Sequence, residues 1–322
     1  MATATRRRTP TATIPDPGEY GSGPRPAWLD VDWSQYLSWH HHEGTAVNVV
    51  DTGVGGRGSN SAADATPLVF IHGHSACWQH WLEQLPQFMG TRRCIALDLP
   101  GFGRSEFPSN GISMSGYART VDAILQDLGV AAACVVGNSM GGFVAAELAI
   151  RFPQRVERLV LVSAAGMAGR YIGLPTELIA HPSGVAIGRV LFGLGGVPDP
   201  LAMALSRRRN GRRLALGFVS THPRRLHPAL VRELISGTGK RGAAPAAVEL
   251  AKYDFKDRVP DIACPTLIVW GDTDYLVPVS SAAAYEDAIP NARKVVYADT
   301  GHVPMLERPA QFNADLQAFL DE

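Results

Sequence analysis

Three short stretches carry residue types that could do covalent chemistry together. The first is Gly137-Asn138-Ser139-Met140-Gly141. A serine hydroxyl is a poor nucleophile at neutral pH until a base takes its proton and a third group orients that base. A histidine for the base stands in Thr300-Gly301-His302-Val303, and carboxylates stand in Gly271-Asp272-Thr273-Asp274. By position alone both Asp272 and Asp274 qualify. The order serine, aspartate, histidine is the one expected when the serine tops a strand-to-helix turn. The chemistry of such a set is attack on a carbonyl, a covalent intermediate, and release by water. The oxyanion needs two preorganised N–H donors. The backbone of Met140, directly after the serine, supplies one. The loop His72-Gly73-His74 supplies the other through the backbone of His74, with Gly73 letting the chain turn inward.

The elements around these residues fit the same reading. Ala133-Cys-Val-Val136 is an apolar run that breaks at the serine, and Phe143 to Ile150 has a helical pattern. Glycines flank the serine because strand and helix approach too closely there for side chains. Pro67 to Ile71, Arg93 to Leu97 and Val156 to Val162 read as buried strands, and the strand pattern resumes at Pro265 to Trp270 and Lys294 to Tyr297. Helices are expected over Trp78–Phe88, Ser115–Leu128 and Ala310–Leu320. Alternating strands and helices imply right-handed crossovers and a parallel sheet. A first hairpin is expected, with Glu43-Gly44 as its turn and His40, His41 and His42 just before it. Adjacent strand residues point to opposite faces, so the three histidines do not converge on one metal ion.

Taken together, His72-Gly73-His74, Asp98-Leu-Pro-Gly-Phe-Gly-Arg-Ser105, Gly137 to Gly142, Gly271 to Asp274 and Gly301-His302 resemble the α/β-hydrolase superfamily. The resemblance covers about residues 35 to 320 apart from an insertion. It implies a mostly parallel, doubly wound eight-stranded sheet with a helical cap after the sixth strand. It also implies that Asp274 is the acid beside His302 and that Asp272 shapes the turn. Ser139 stands where haloalkane dehalogenases and epoxide hydrolases of this fold carry aspartate. The elbow and the run Glu307 to Asn313 are similar to the carbon–carbon bond hydrolases of aromatic ring cleavage. Those enzymes usually carry tryptophan directly after the histidine, where this chain has Val303, and a cap arginine, a place Arg189 or Arg170 could fill. Esterases share the same elbow.

The resulting domain reading is a disordered tail over 1–26, a first core segment over 27–166, a cap over 167–255 and a second core segment over 256–322. The function expected is hydrolysis of a small, largely apolar ester or carbonyl compound by Ser139, His302 and Asp274. Gly73, Asn138 and Val303 are candidate substrate contacts. The alternatives are a cofactor-free haloperoxidase or perhydrolase, or a ligand-binding member of the fold without catalysis. No metal and no organic cofactor is required by this chemistry.

Composition bounds the rest. Thirty basic and thirty acidic residues cancel, which gives no reason to expect nucleic acid as a partner. Cys77, Cys94, Cys134 and Cys264 show no paired spacing and read as free thiols in a reducing, cytoplasmic setting. No apolar run reaches the length of a membrane span. Arg207 to Arg209, Arg212 and Arg213 make the cap basic, able to attract an anionic substrate or a membrane surface. A solvated helix face is the expectation there, with a small molecule as the partner and assembly into a homo-oligomer left open.

Overall fold

The computed structural model describes residues 20–53, 65–167 and 197–322. Eight strands form one sheet: β1 (Leu37–His42), β2 (Thr45–Asp51), β3 (Leu68–Ile71), β4 (Cys94–Leu97), β5 (Ala133–Asn138), β6 (Val156–Val162), β7 (Thr266–Gly271) and β8 (Ala292–Tyr297). Their order across the sheet is β1-β2-β4-β3-β5-β6-β7-β8. β1 with β2 and β2 with β4 are antiparallel, and every other neighbouring pair is parallel. The mostly parallel eight-stranded sheet expected from the sequence is therefore the one found.

The central strands are mostly apolar because both faces are covered, and β3 and β4 are apolar and buried at every position. Along β6, Leu159 and Leu161 pack into one core while Val160 and Val162 pack into the other. On β7 the same split sends Ile268 and Trp270 to the first core and Leu267 and Val269 to the second. This is the period-two alternation of a strand with helices on both sides. Helices α2 (Met114–Asp127) and α3 (Met140–Arg151) pack into the first core, and the short helix α1 (Leu85–Phe88) and the C-terminal helix pack into the second. At the antiparallel edge, β1 is only partly covered and Trp39 is 53% exposed. The β1–β2 hairpin turns at Glu43 and Gly44, both at positive φ (48° and 73°), the backbone that matches strand twist in a two-residue loop.

Between β6 and β7 lie four described helices: α4 (Asp199–Arg207), α5 (Arg209–Leu216), α6 (Pro228–Ser236) and α7 (Ala243–Lys252). After β7 come α8 (Ser280–Ala288), α9 (Pro304–Glu307) and α10 (Pro309–Leu320). No described helix is long and apolar enough to cross a membrane.

Two expectations need correction. Trp78–Phe88 is not one helix. Trp78–Trp81 is a 3-10 turn, and α1 begins only at Leu85. Pro86 is the reason: it has no N–H, and its ring excludes the carbonyl four residues back, so a helix can start there but not pass through. Residues 20–26, expected to belong to a disordered tail, are among the described residues. Tyr20 is 5% exposed and Trp28 6%, both packed in the second core. Residues 1–19, with Arg6 to Arg8, lie outside the described residues, as do Arg170 and Arg189.

Candidate active site

Every sequence-predicted chemical residue falls at the carboxyl edge of the parallel strands, on the loops after β3, β5, β7 and β8. Open α/β sheets bind ligands along that edge. Ser139 joins β5 to α3 with φ 54° and ψ −117°, a backbone that residues with a side chain rarely adopt. Two tight approaches impose it. A Cβ on Gly137 would lie 2.2 Å from the Gly141 carbonyl oxygen, and one on Gly141 would lie 2.2 Å from that of Ile71. The Ser139 backbone is then pinned on both sides. Its N–H donates to the Val162 carbonyl (2.9 Å), and its own carbonyl accepts from Phe143 (3.1 Å) and Ala165 (3.0 Å). Serine before a helix ordinarily caps it, yet this hydroxyl makes no capping bond. The strain thus serves to turn Oγ out of the cap position.

His302 lies beyond β8 and is 5% exposed. Its Nδ1–H donates to Asp274 Oδ2 at 2.8 Å, and the other carboxylate oxygen accepts from the N–H groups of Leu276 (2.9 Å) and Val277 (3.0 Å). Asp274 is therefore held on one side and holds the imidazole on the other. This fixes the tautomer with Nε2 free of a proton. Asp272 is exposed, and its Oδ1 accepts from the Thr300 N–H (3.3 Å). Only Asp274 reaches the histidine.

On the opposite bank, Met140 opens α3, and an N–H in a helix's first turn has no acceptor within the helix. Gly73 sits against the nucleophile. A Cβ there would be 3.2 Å from that of Ser139. His72 shapes this loop. Its Nε2 accepts from the Leu99 N–H (2.9 Å), so its proton is on Nδ1, which donates to the Gly73 carbonyl (2.7 Å). Burial holds the His72 imidazole below its usual range, more strongly than nearby Asp98 raises it. The His74 ring, likewise lowered by burial, donates from Nε2 to the Ala243 carbonyl at the start of α7 (2.7 Å). That ring is a strut between the loop and the cap.

Two of the three candidate substrate contacts also have structural partners. Asn138 is 2% exposed, and its Nδ2 donates to the carbonyls of Val162 (3.1 Å) and His302 (3.3 Å). It ties the serine elbow to the histidine loop. Val303 is buried in the second core.

Sequence reasoning missed the device behind His302. Glu307 is fully buried, and burial pushes its carboxyl above the ordinary range. Its Oε1 accepts from the N–H groups of Gly301 (3.0 Å) and Val303 (3.4 Å), gripping the chain on both sides of His302. Its Oε2 accepts from the Thr221 N–H (2.9 Å) and from the Tyr20 hydroxyl. Tyr20 Oη in turn accepts from the His222 N–H (2.8 Å) and lies 2.9 Å from Ser220 Oγ. The His302 N–H itself donates to the Val219 carbonyl (2.9 Å). An N-terminal tyrosine, a cap segment and a C-terminal glutamate thus converge on one loop. A glutamate within Met305-Leu306-Glu307 is a charge in an apolar setting, which is the only local signal. Tyr20, among prolines and glycines, carries none.

Asp98 plays a similar part on the opposite bank. Its carboxylate accepts from the N–H groups of Trp78 (2.8 Å) and Arg104 (2.9 Å) and from Asn48 Nδ2 (2.8 Å). Glu147, also fully buried in α3, is paired with Arg151, Arg258 and Tyr253, away from this edge. Among the described residues no group of three or more histidine, cysteine, aspartate or glutamate side chains is placed to hold a metal ion.

A family model described as alpha/beta hydrolase fold matches residues 66–309. The chain is 30% identical over 275 residues to the dihydrolipoyllysine-residue acetyltransferase component of the acetoin cleaving system of Cupriavidus necator, across 83% of this chain and 67% of the relative. It is 29% identical over 288 residues to the 2-hydroxymuconate semialdehyde hydrolase of Pseudomonas sp. strain CF600, across 87% of this chain and 92% of the relative. Among solved structures it is similar to Est816, an N-acyl homoserine lactone degrading enzyme. The TM-score is 0.63 at 28% identity, covering 88% of this chain and 100% of that one.

Proposed function

The chain belongs to the alpha/beta hydrolase fold family, and from that premise we propose that it is a serine hydrolase acting on a small, largely apolar ester or other carbonyl substrate. The observation that carries the proposal is the pair formed by His302 and Asp274 at 2.8 Å, tied through Asn138 to the elbow that carries a strained, uncapped serine. Ser139 Oγ attacks the carbonyl carbon while His302 Nε2 takes its proton. Asp274 steadies the imidazolium that results. The N–H groups of Met140 and His74 hold the oxyanion. Collapse expels the leaving group, which takes the proton from His302. Water, deprotonated by the same nitrogen, then releases the acid and restores the serine. Each bond broken is matched by one formed, so the cycle needs neither metal nor redox cofactor.

The likeness to a semialdehyde hydrolase supports a second reading, cleavage of a carbon–carbon bond next to the carbonyl. There the leaving group is a stabilised carbanion, and His302 must protonate carbon rather than oxygen. A panel of p-nitrophenyl esters of graded chain length beside a vinylogous β-diketone separates the two. Fluorophosphonate labelling tests the shared premise. Wild type should be labelled at Ser139, and Ser139→Ala should not. A folded wild type that takes no label sinks the hydrolase reading in both forms.

A further inference from the structure

The chain's charges cancel overall but are not evenly spread. From Leu201 to Arg232 there are eight arginines, and no aspartate, glutamate or lysine. Arg207, Arg208, Arg209, Arg213, Arg224 and Arg225 are exposed. Among the described residues none of these six forms an ion pair with a carboxylate.

The fold ties the segments that carry these cations to one another. Arg212 is buried, and its guanidinium donates to the carbonyls of Ser206 (2.8 Å) and Arg224 (2.8 Å). One internal arginine therefore stitches the end of α4, the body of α5 and the loop after it into a single unit. Arg224 reaches back to Asn210 Oδ1 (2.8 Å). Burial, then the charge of Arg209, lowers the pKa of Arg212, a sign that like charges are crowded here. Crowding unpaired cations costs stability unless a partner neutralises them.

Leucines lie among the arginines. Leu201 is 50% exposed and Leu214 52%. Leu201 lies in the first turn of α4 and Arg207 in its last, and on α5, Leu214 follows Arg213 and stands one turn beyond Asn210. Exposed aliphatic side chains beside guanidinium groups match a lipid interface, where headgroups are anionic and the boundary is apolar. A single-stranded nucleic acid would instead call for exposed aromatic rings to stack on. Among the described residues from 201 to 232 no exposed aromatic side chain is present.

We propose that the cap docks onto an anionic lipid surface through this face, with the arginines at the headgroups and Leu201 and Leu214 entering the interface. The same cap carries Val219 and Ala243, whose carbonyls hold His302 and His74, so docking would bring the carboxyl edge of the sheet to the lipid. The proposal does not depend on which bond the site cleaves.

Vesicle sedimentation with the full chain tests it. The probes are phosphatidylcholine vesicles and vesicles in which phosphatidylglycerol replaces one-third of the phosphatidylcholine. The protein should pellet with the second and not with the first at about 0.1 M salt. It should be released at about 1 M salt, where screening shortens to about 3 Å. Replacing Arg207, Arg208, Arg209 and Arg213 with glutamine should weaken binding at least about tenfold. Leu201→Ser with Leu214→Ser should weaken it a few-fold, roughly, and leave its salt dependence in place. An unchanged unfolding midpoint shows that these variants are folded. No pelleting by wild type, equal pelleting with neutral vesicles, or full binding by the glutamine variant overturns the proposal. So does retention on a DNA oligonucleotide without retention on vesicles.

Discussion

The two banks of the site are held by different physics. The serine bank is fixed by backbone. Glycines at 137 and 141 let a strand and a helix collide, and a positive-φ serine is the residue left at the corner. Gly137, Ser139 and Gly141 lie within one stretch of five residues, with no choice of partner. The histidine bank is fixed by side chains from far away. Glu307 grips both flanks of His302, Tyr20 reaches Glu307 from 287 residues earlier, and the cap supplies the carbonyl of Val219. A backbone device is rigid and all-or-none. A side-chain device can be weakened one hydrogen bond at a time, and through the cap it is open to influence from outside the site.

That contrast can be broken experimentally. The largest effect should come from Ser139. Ser139→Ala should lower kcat by about 10⁴-fold or more with the fold intact. Ser139→Gly should be equally inactive yet more stable, by about 1 kcal/mol, because glycine accepts the strained backbone freely. A lower unfolding midpoint for the glycine variant would show that the elbow stores no strain. Next is Gly141→Ala, whose Cβ has only backbone to meet. A loss of about 3 kcal/mol or failure to fold is expected in denaturant titration, without partial activity.

The histidine bank should respond in graded fashion. Glu307→Gln keeps the shape but leaves one acceptor oxygen for four donors. A stability loss of about 2 kcal/mol is expected. The fluorophosphonate labelling rate should fall roughly tenfold to a hundredfold, by the scale of a misplaced catalytic group. Tyr20→Phe removes one donor and one acceptor, with a stability cost of about 1 kcal/mol and a drop in labelling of only a few-fold, roughly. If Glu307→Gln were instead all-or-none like Gly141→Ala, the distinction between the banks would collapse.

Acid should act on the serine bank through His72. Burial lowers its pKa in the folded state, so the unfolded chain binds the extra proton. Stability should therefore be complete above the ordinary histidine range and fall as pH drops below about 6.5. Protonation would also leave Nε2 unable to accept the Leu99 N–H, loosening the loop of Gly73 and His74. His72→Asn should flatten that slope in unfolding midpoints measured across the range.

The chain itself announced whatever is settled within a few residues or by a simple period. Continuous apolar runs marked strands covered on both faces, and the glycine spacing marked a corner where only a small residue fits. The order of serine, aspartate and histidine placed the three on loops of one sheet edge. The helix misread over Trp78–Phe88 was also a local matter, decided by Pro86. Pairing across the chain was not legible. Asp272 and Asp274 differ by two positions, and only the turn of the loop decides which one meets His302. The packing around Asn138 and Val303 was equally hidden, because burial is a property of what packs on top, and no window of sequence contains that. Tyr20 was read as part of a loose tail because proline and glycine surround it, and its value lies entirely in a buried carboxylate at the far end of the chain. Local sterics and periodicity act through neighbours and so can be read in order. Desolvation and hydrogen-bond partnership act through space, and only the folded chain brings those partners together.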